Sequence, residues 1–290
     1  MVYKGTLNAT NPTFVFPFFV PHLTLVLQVD DYKNTLQFTL FPVAEEGYGE
    51  PHLSVIALGD VKISSSNNYI KKLTSEKVKT IVDSLDRTHP LKKEKKPMVG
   101  FAALNDDDDD RYLRVFICPV DEDTKTVNCT VVMKREAKLT GNTVFGLQVT
   151  DDEILVISAG RVKFFSLNVT VPEKEMTVEG GFIGMRKFKN FWFGLKNNIL
   201  WILSPGEGLD KEHLSEKLYY RNFLDATYSN LEVTNNFISL EFVRKDQSAK
   251  GVRVLSVDGK DIFESAGYKA GDLAPNKEPK NLSKQIVTKN

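Results

Sequence analysis

The chain has 290 residues, of which 41% are hydrophobic and 26% are charged, an ordinary globular composition that excludes a largely disordered chain. Its 38 basic and 38 acidic side chains cancel to a formal net charge of zero. Overall charge therefore gives no reason to expect nucleic acid, an anionic membrane surface or an acidic substrate as a partner. Aromatic residues are weighted towards Phe, with 19 Phe against 2 Trp, a composition that favours strands.

Only two cysteines occur, which argues against a disulfide framework and for a reducing, intracellular location in the nucleus or cytoplasm. Cys118 and Cys129 lie at equal distances from a turn at Asp123 and Thr124, so they could face each other across a hairpin. A disulfide is one alternative there. A pair of core-facing thiols is the simpler interpretation, and we expect it.

The amino-terminal segment does not resemble a leader, because prolines interrupt its apolar run at residues 14–29. We expect neither a signal peptide nor a membrane span there. Four Asn-x-Ser/Thr sequons could indicate secretion, but their excess over chance is small and we expect them to be unused. They begin at Asn8, Asn128, Asn168 and Asn281.

The first part of the chain predicts short antiparallel strands with turn residues between them. Residues 13–20 form a strand candidate in which Pro17 indicates an edge position or a bulge. Residues 23–29 and 35–43 predict a hairpin, and residues 52–58 follow as a further strand.

A helical period appears in residues 69–85, with Thr74 or Ser75 as the N-cap. A charged loop, residues 88–97, follows it. Together, residues 69–97 predict a helix-loop insertion. It is a docking helix for a partner, a weak basic localisation signal or an ordinary surface insertion, and the last is favoured. The apolar face of this helix is predicted to consist of Val78, Ile81, Val82 and Leu85.

Strands are predicted again at residues 98–104, 111–120 and 127–134, with a run of five Asp at 106–110 between the first two. Clustered carboxylates could attract a hard cation. Calcium loops, however, alternate their oxygen ligands and use a Gly to turn the backbone, which this run lacks. We therefore expect a solvated acidic loop.

The clearest strand pattern is residues 144–170, where three apolar runs are separated by two tight polar turns. The same plan recurs in residues 181–203 and 229–257, at a spacing of roughly forty to fifty residues that is typical of propeller blades. Residues 98–134 and 23–58 fit as two earlier units, which makes five.

Two segments depart from this plan. The first half of residues 209–228 predicts a second, short helical insertion, and residues 264–290 lose all periodicity and predict a flexible tail or linker. The sequence thus predicts one all-β domain over residues 1–263, with insertions at 69–97 and 209–228.

Two of the repeated hairpins, EILVISAGRVKFFSL and NFWFGLKNNILWIL, resemble those of degenerate WD40-like β-propellers. The family's usual Gly-His and Trp-Asp pairs do not occur in this chain. The resemblance implies a β-propeller of about five to seven antiparallel four-stranded blades, and a β-sandwich-type all-β fold is the alternative.

By the same resemblance, we expect a non-catalytic scaffold that binds other protein subunits within a larger intracellular assembly, such as a nuclear pore, ribosome-assembly or coat-like complex. We expect no catalytic residues, cofactor, metal, small-molecule substrate or membrane partner. The four His are widely spread, and no nucleophile-elbow, P-loop or dinucleotide-binding motif occurs.

One patch, residues 184–196, interleaves basic and aromatic residues, and this pattern can hold phosphates and stack on bases. Nucleic-acid binding, to RNA in particular, is therefore an alternative function. Ordinary strand alternation explains the pattern more simply, and the two Trp could equally form an interface pair. A secreted carbohydrate-binding β domain is a further alternative. The candidate interaction surface consists of Arg186, Lys187, Lys189, Trp192, Lys196 and Trp201.

Overall fold

A computed structural model describes residues 15–30, 34–44, 47–59, 61, 63, 68–105, 111–137, 143–189, 191–205, 213–222, 226–234, 237–246, 249–256 and 261–264. Within these ranges the chain forms 22 strands, one α-helix and one 3₁₀ turn, which confirms the predicted all-β class. None of the helical residues described forms a helix long and apolar enough to cross a bilayer. The predicted acidic loop at 106–110 lies outside the described residues, as does the predicted tail at 264–290 except for its first residue, which ends β22.

The first sheet has the strand order β1-β2-β3-β5, with the short β4 paired to the end of β3. Pro17 lies in β1, which is an edge strand as predicted, and the alternation of β2 between buried and half-buried side chains turns one sheet face to the core. The strands are β1 (Val15–Val20), β2 (Leu23–Asp30), β3 (Thr35–Ala44), β4 (Gly47–Tyr48) and β5 (His52–Ala57).

The second sheet has the order β6-β7-β8-β10, with β9 paired to β8. Helix α1 (Ser75–Ser84) and a 3₁₀ turn (Pro90–Lys92) lie between its first two strands. The N-cap is Thr74, whose hydroxyl accepts from Lys77 N at 3.4 Å, and the predicted apolar face is buried. The strands are β6 (Ile70–Leu73), β7 (Met98–Leu104), β8 (Tyr112–Asp121), β9 (Thr126–Val127) and β10 (Thr130–Glu136).

Two sequence-based expectations about this sheet are wrong. The helix-loop insertion predicted over residues 69–97 does not begin at residue 69, because residues 70–73 form β6, which pairs antiparallel with β7 and belongs to the sheet. The cysteines are not free thiols: Cys118 and Cys129 form a disulfide with an S–S distance of 2.01 Å. Pairing of β9 with the end of β8 folds the hairpin back and brings the two Cα atoms to 4.1 Å.

The third sheet has eight strands in the order β11-β12-β13-β14-β18-β17-β16-β15. It consists of two antiparallel halves, β11–β14 and β15–β18, joined by a short parallel pairing of Thr177 with His213 and Val178 with Leu214. The strands are β11 (Val144–Val149), β12 (Glu153–Ser158), β13 (Arg161–Ser166), β14 (Lys174–Val178), β15 (Gly184–Phe188), β16 (Phe191–Lys196), β17 (Ile199–Pro205) and β18 (His213–Asn222).

The helix predicted in the first half of residues 209–228 is wrong where the structure describes it, because residues 213–218 belong to β18. This strand pairs with β17 on one side and with β14 on the other. Strand propensity depends on pairing partners distant in sequence, and these outweigh the local pattern here.

The last sheet is the antiparallel meander β19-β20-β21-β22. Its first three strands match the unit predicted over residues 229–257. The strands are β19 (Ala226–Thr234), β20 (Phe237–Arg244), β21 (Lys250–Ser256) and β22 (Asp261–Glu264).

Four apolar layers hold the sheets face to face in chain order. The first lies between the first and second sheets, and the second between the second sheet with α1 and the β11–β14 half. The third separates the two halves of the eight-stranded sheet, and the fourth packs β15–β18 against the last sheet. Because each fully buried Leu, Phe or Val contributes about 1.5–3 kcal/mol, these layers fix the relative positions of the sheets.

Candidate functional site

Strands β6, β11, β15 and β19 lie side by side in chain order, and each is the first strand of its unit. Their polar side chains therefore converge. We name Lys71, Arg186 and Glu232, which come from β6, β15 and β19, the inner-strand cluster. It joins three units that are separated in sequence.

Arg186 is the centre of this cluster and is only 3% exposed. It donates from Nε to Glu232 Oε2 at 3.0 Å and from Nη2 to Glu232 Oε1 at 2.8 Å. Its Nη1 donates to the carbonyl of Met185 at 2.7 Å, and Lys71 Nζ lies 3.4 Å from Glu232 Oε1. This bidentate pair fixes both position and angle of the guanidinium, which a single contact does not.

Two cations share one carboxylate here, and burial opposes the charged forms of both Glu232 and Lys71. Burial acts to raise the pKa of Glu232, but the hydrogen bonds and charges of Arg186 and Lys71 outweigh it and lower the pKa. Burial is the main cause that lowers the pKa of Lys71; Glu232 opposes it, and the charge of Arg186 adds to it.

The structure does not bring the six residues of the candidate interaction surface onto one face. Arg186 is inside the inner-strand cluster, and Trp192 is 2% exposed in the layer between the halves of the eight-stranded sheet. The Trp192 ring meets Phe164 edge-on at a centroid distance of 6.1 Å. Trp201 is half-buried against the same layer. The side chains of these three residues pack inside the protein and stabilise its fold.

The three lysines of that set have separate surroundings. Lys187 Nζ lies 3.8 Å from Glu153 Oε2, and Lys196 Nζ lies 3.8 Å from Glu179 Oε1. Lys189 is exposed, with its ammonium 5.3 Å from the ring centroid of Phe188. Two of the six predicted residues, Lys187 and Lys189, line one common groove.

This groove, which we name the rim groove, has a volume of about 480 Å³ and lies where β11, β12, β15 and β19 meet. Three carboxylates stand on the β11–β12 side, and two ammonium groups stand on the β15 side. It is lined by Gln148, Val149, Thr150, Asp151, Asp152, Glu153, Lys187, Phe188, Lys189 and Val233.

The acidic wall is a tight turn held by Thr150. The backbone N–H of Thr150 donates to Glu153 O at 2.9 Å, and Glu153 N donates to Thr150 Oγ1 at 3.2 Å. Asp151 and Asp152 are thereby displayed as exposed side chains, as their turn position predicts. Lys77 Nζ, from α1, lies 3.7 Å from Asp151 Oδ1.

Gln148 couples the acidic wall to the basic one, and the sequence analysis missed it. Its side-chain amide donates to Lys187 O, and Lys187 N donates to Gln148 Oε1 at 2.7 Å. One side chain thus replaces a strand partner and ties together the two edges of the eight-stranded sheet. The only signal for it was a single amide within the apolar run VFGLQV.

The described residues contain no group of three or more His, Cys, Asp and Glu side chains placed to hold a metal ion. The rim groove has two fixed walls of opposite charge, with the aromatic side chain of Phe188 between them. Such a surface can bind an extended segment that carries both charges.

No protein-family model matches the chain, and no curated protein matches it. Among solved structures, one from an analysis of two prolyl endopeptidases aligns with a TM-score of 0.40 and 12% identity, over 84% of this chain and 33% of that one. Kluyveromyces lactis Hsv2 aligns with a TM-score of 0.34 and 10% identity, over 82% of this chain and 62% of that one. A form of KlHsv2 with loop 6CD replaced by a Gly-Ser linker aligns with a TM-score of 0.38 and 8% identity, over 82% of this chain and 64% of that one.

The chain therefore spans about a third of the first structure and less than two thirds of the two Hsv2 structures.

Proposed function

We propose that the chain is a β-propeller-type interaction module built from five four-stranded units, and that it binds a partner protein without catalysing a reaction. Each unit is an antiparallel meander whose strands follow one another in chain order, as in propeller blades. The eight-stranded sheet then represents two adjacent blades whose outermost strands pair. The units are β1-β2-β3-β5, β6-β7-β8-β10, β11–β14, β15–β18 and β19–β22.

The observation that carries the binding function is the opposed charge of the rim groove. Asp152 and Lys189 are both exposed on facing walls, and neither side chain forms an ion pair with another described residue. A partner segment with a cationic and an anionic side chain at the matching separation would satisfy both.

Rigid presentation supports this function. The side-chain amide of Gln148 holds the two walls together through hydrogen bonds to the backbone of Lys187, so the groove does not need to form on binding. A binding surface that is already formed loses less conformational entropy when the partner docks, which favours affinity.

The proposal can be tested with tagged full-length protein purified from its native source and treated with an amine-reactive cross-linker. We expect Lys189 to cross-link to one recurrent partner protein. The double variant Asp151→Lys/Asp152→Lys and the single variant Lys189→Glu should each weaken that complex about tenfold or more, equivalent to about 1.4 kcal/mol.

Matched control variants are Asp123→Lys, in the turn after β8, and Lys93→Glu, after the 3₁₀ turn, because both residues are exposed and neither lines the groove. They should leave the complex unchanged. A monomer that turns over a small substrate, or a complex that survives all the groove variants, would contradict the proposal.

Nucleic-acid binding through residues 184–196 and membership of a nuclear or cytoplasmic assembly stay predictions. A carboxylate lies within 4 Å of three cations of the patch: Arg186, Lys187 and Lys196. These carboxylates reduce the positive potential that phosphate binding needs.

A further inference from the structure

Two of the four sequons lie in the described part of the chain, and both present their asparagine to solvent. Asn128 is exposed between β9 and β10, and Asn168 is exposed in the turn after β13. The hydroxyl-bearing residues of these sequons, Thr130 and Thr170, are exposed as well. A glycan on either asparagine would therefore extend into solvent and displace no packed side chain.

The local contacts leave the acceptor nitrogens accessible. The amide oxygen of Asn168 accepts from Thr170 N at 3.1 Å and from Thr170 Oγ1 at 2.8 Å. Neither Asn168 Nδ2 nor Asn128 Nδ2 donates to another described residue. The Asn168 loop is anchored on its other side, where Val169 N donates to Ser84 Oγ at 3.2 Å.

The disulfide is a second and independent observation, and it concerns the compartment. Cys129, the middle residue of the sequon that begins at Asn128, is bonded to Cys118. Stable disulfides form in oxidising compartments, which include those of the secretory route, and sequon glycosylation marks the surface loops of proteins that pass through that route. Exposed sequons and a disulfide therefore indicate the same environment.

We propose that Asn128 and Asn168 are N-glycosylation sites and that the chain folds in an oxidising, secretory compartment. The co-substrate is an oligosaccharide carried on a lipid diphosphate. The Asn Nδ2 forms a bond to C1 of the first sugar, and the C1–O bond to the diphosphate breaks. The lipid diphosphate leaves with the bonding electron pair, and Nδ2 loses one proton to a base. No electrons are transferred.

This inference does not depend on the proposed function, because the rim groove contains neither asparagine. It does oppose the intracellular location that the cysteine count favours. That location predicts an unmodified chain with free thiols, so one measurement distinguishes the two.

The experiment is intact-mass analysis of the full-length protein from its native source, before and after peptide-N-glycosidase treatment, followed by peptide mapping. We expect the mass to fall on treatment and both Asn128 and Asn168 to be converted to Asp. We also expect Cys118 and Cys129 to be alkylated only after reduction. A polypeptide mass without glycan overturns the proposal whatever the state of the cysteines. So does a glycan found only at Asn8 or Asn281.

Variants sharpen the assignment. Thr130→Ala and Thr170→Ala remove one sequon each while keeping the asparagine, and each should lose one glycan. Thr130→Ser and Thr170→Ser keep the sequon and should retain it. Because the mass is measured on denatured protein, the result does not require a variant to fold.

Discussion

Replacement of Glu232 by Gln is the sharpest test of how the units are joined. Among the residues that the structure describes, Glu232 is the carboxylate that contacts both Arg186 and Lys71, which come from two other units. Glutamine keeps the size of the side chain and one hydrogen-bond acceptor but removes the charge. The variant leaves two cations facing each other, one of them 3% exposed.

The expected cost follows from burial. Removing one partner of a fully buried ion pair costs about 3–5 kcal/mol. The side chain of Glu232 is 37% exposed, so water screens part of the interaction, and we expect a loss of about 2 kcal/mol in the free energy of unfolding at neutral pH. For a chain of this size that corresponds to a fall in Tm of about 4 °C.

The pH dependence provides the second readout. Because the pKa of Glu232 is lowered in the folded state, its stabilisation is present above the ordinary glutamate pKa of 4.5 and is lost as pH falls through the folded value. The stability difference between wild type and Glu232→Gln should therefore be largest near neutral pH and shrink in the acid range.

Urea unfolding followed by tryptophan fluorescence at a series of pH values measures both effects. Glu175→Gln is the matched control: Glu175 is about as exposed as Glu232 and its Oε1 lies 2.7 Å from Arg161 Nη1, but that guanidinium is 53% exposed, so the substitution should cost less than about 1 kcal/mol. A Glu232→Gln variant no less stable than Glu175→Gln, or a difference that does not change with pH, would refute the reasoning.

Two further predictions concern covalent and steric constraints. Replacing both Cys118 and Cys129 by Ala should lower the free energy of unfolding by about 3 kcal/mol, because the disulfide closes a loop with a sequence separation of 11. The wild type in reductant should be as stable as the variant. Equal stability of the oxidised and reduced wild type would contradict this prediction. Gly146→Ala should lower the free energy of unfolding by about 3 kcal/mol or more, because Gly146 has φ of +124° and a Cβ there would collide with Asn68 O. Gly180→Ala, where no atom lies within 4 Å of the added Cβ, should be nearly neutral by thermal unfolding. Equal effects of the two substitutions would count against the packing of β11 on Asn68.

The candidate site shows how far local pattern extends. Asp151 and Asp152 were predicted as turn residues, and they are, because turn chemistry is a property of adjacent residues. Arg186 and Trp192 were predicted on a binding surface but are buried. Strand alternation specifies which side chains share a face of the sheet. Which of the two faces is buried depends on where the neighbouring sheet packs. Gln148 could not have been identified, since its partner lies 39 residues away.

By itself, the sequence determined the all-β class, the positions of most strands and turns, and the buried face of α1, since each depends on side-chain periodicity within a few residues. Only the tertiary structure decided that residues 213–222 are a strand and that Cys118 bonds Cys129. It alone placed Lys71, Arg186 and Glu232 in one cluster. These outcomes depend on which strands pair and which sheets face each other, and such long-range contacts leave no periodic signal in a single chain.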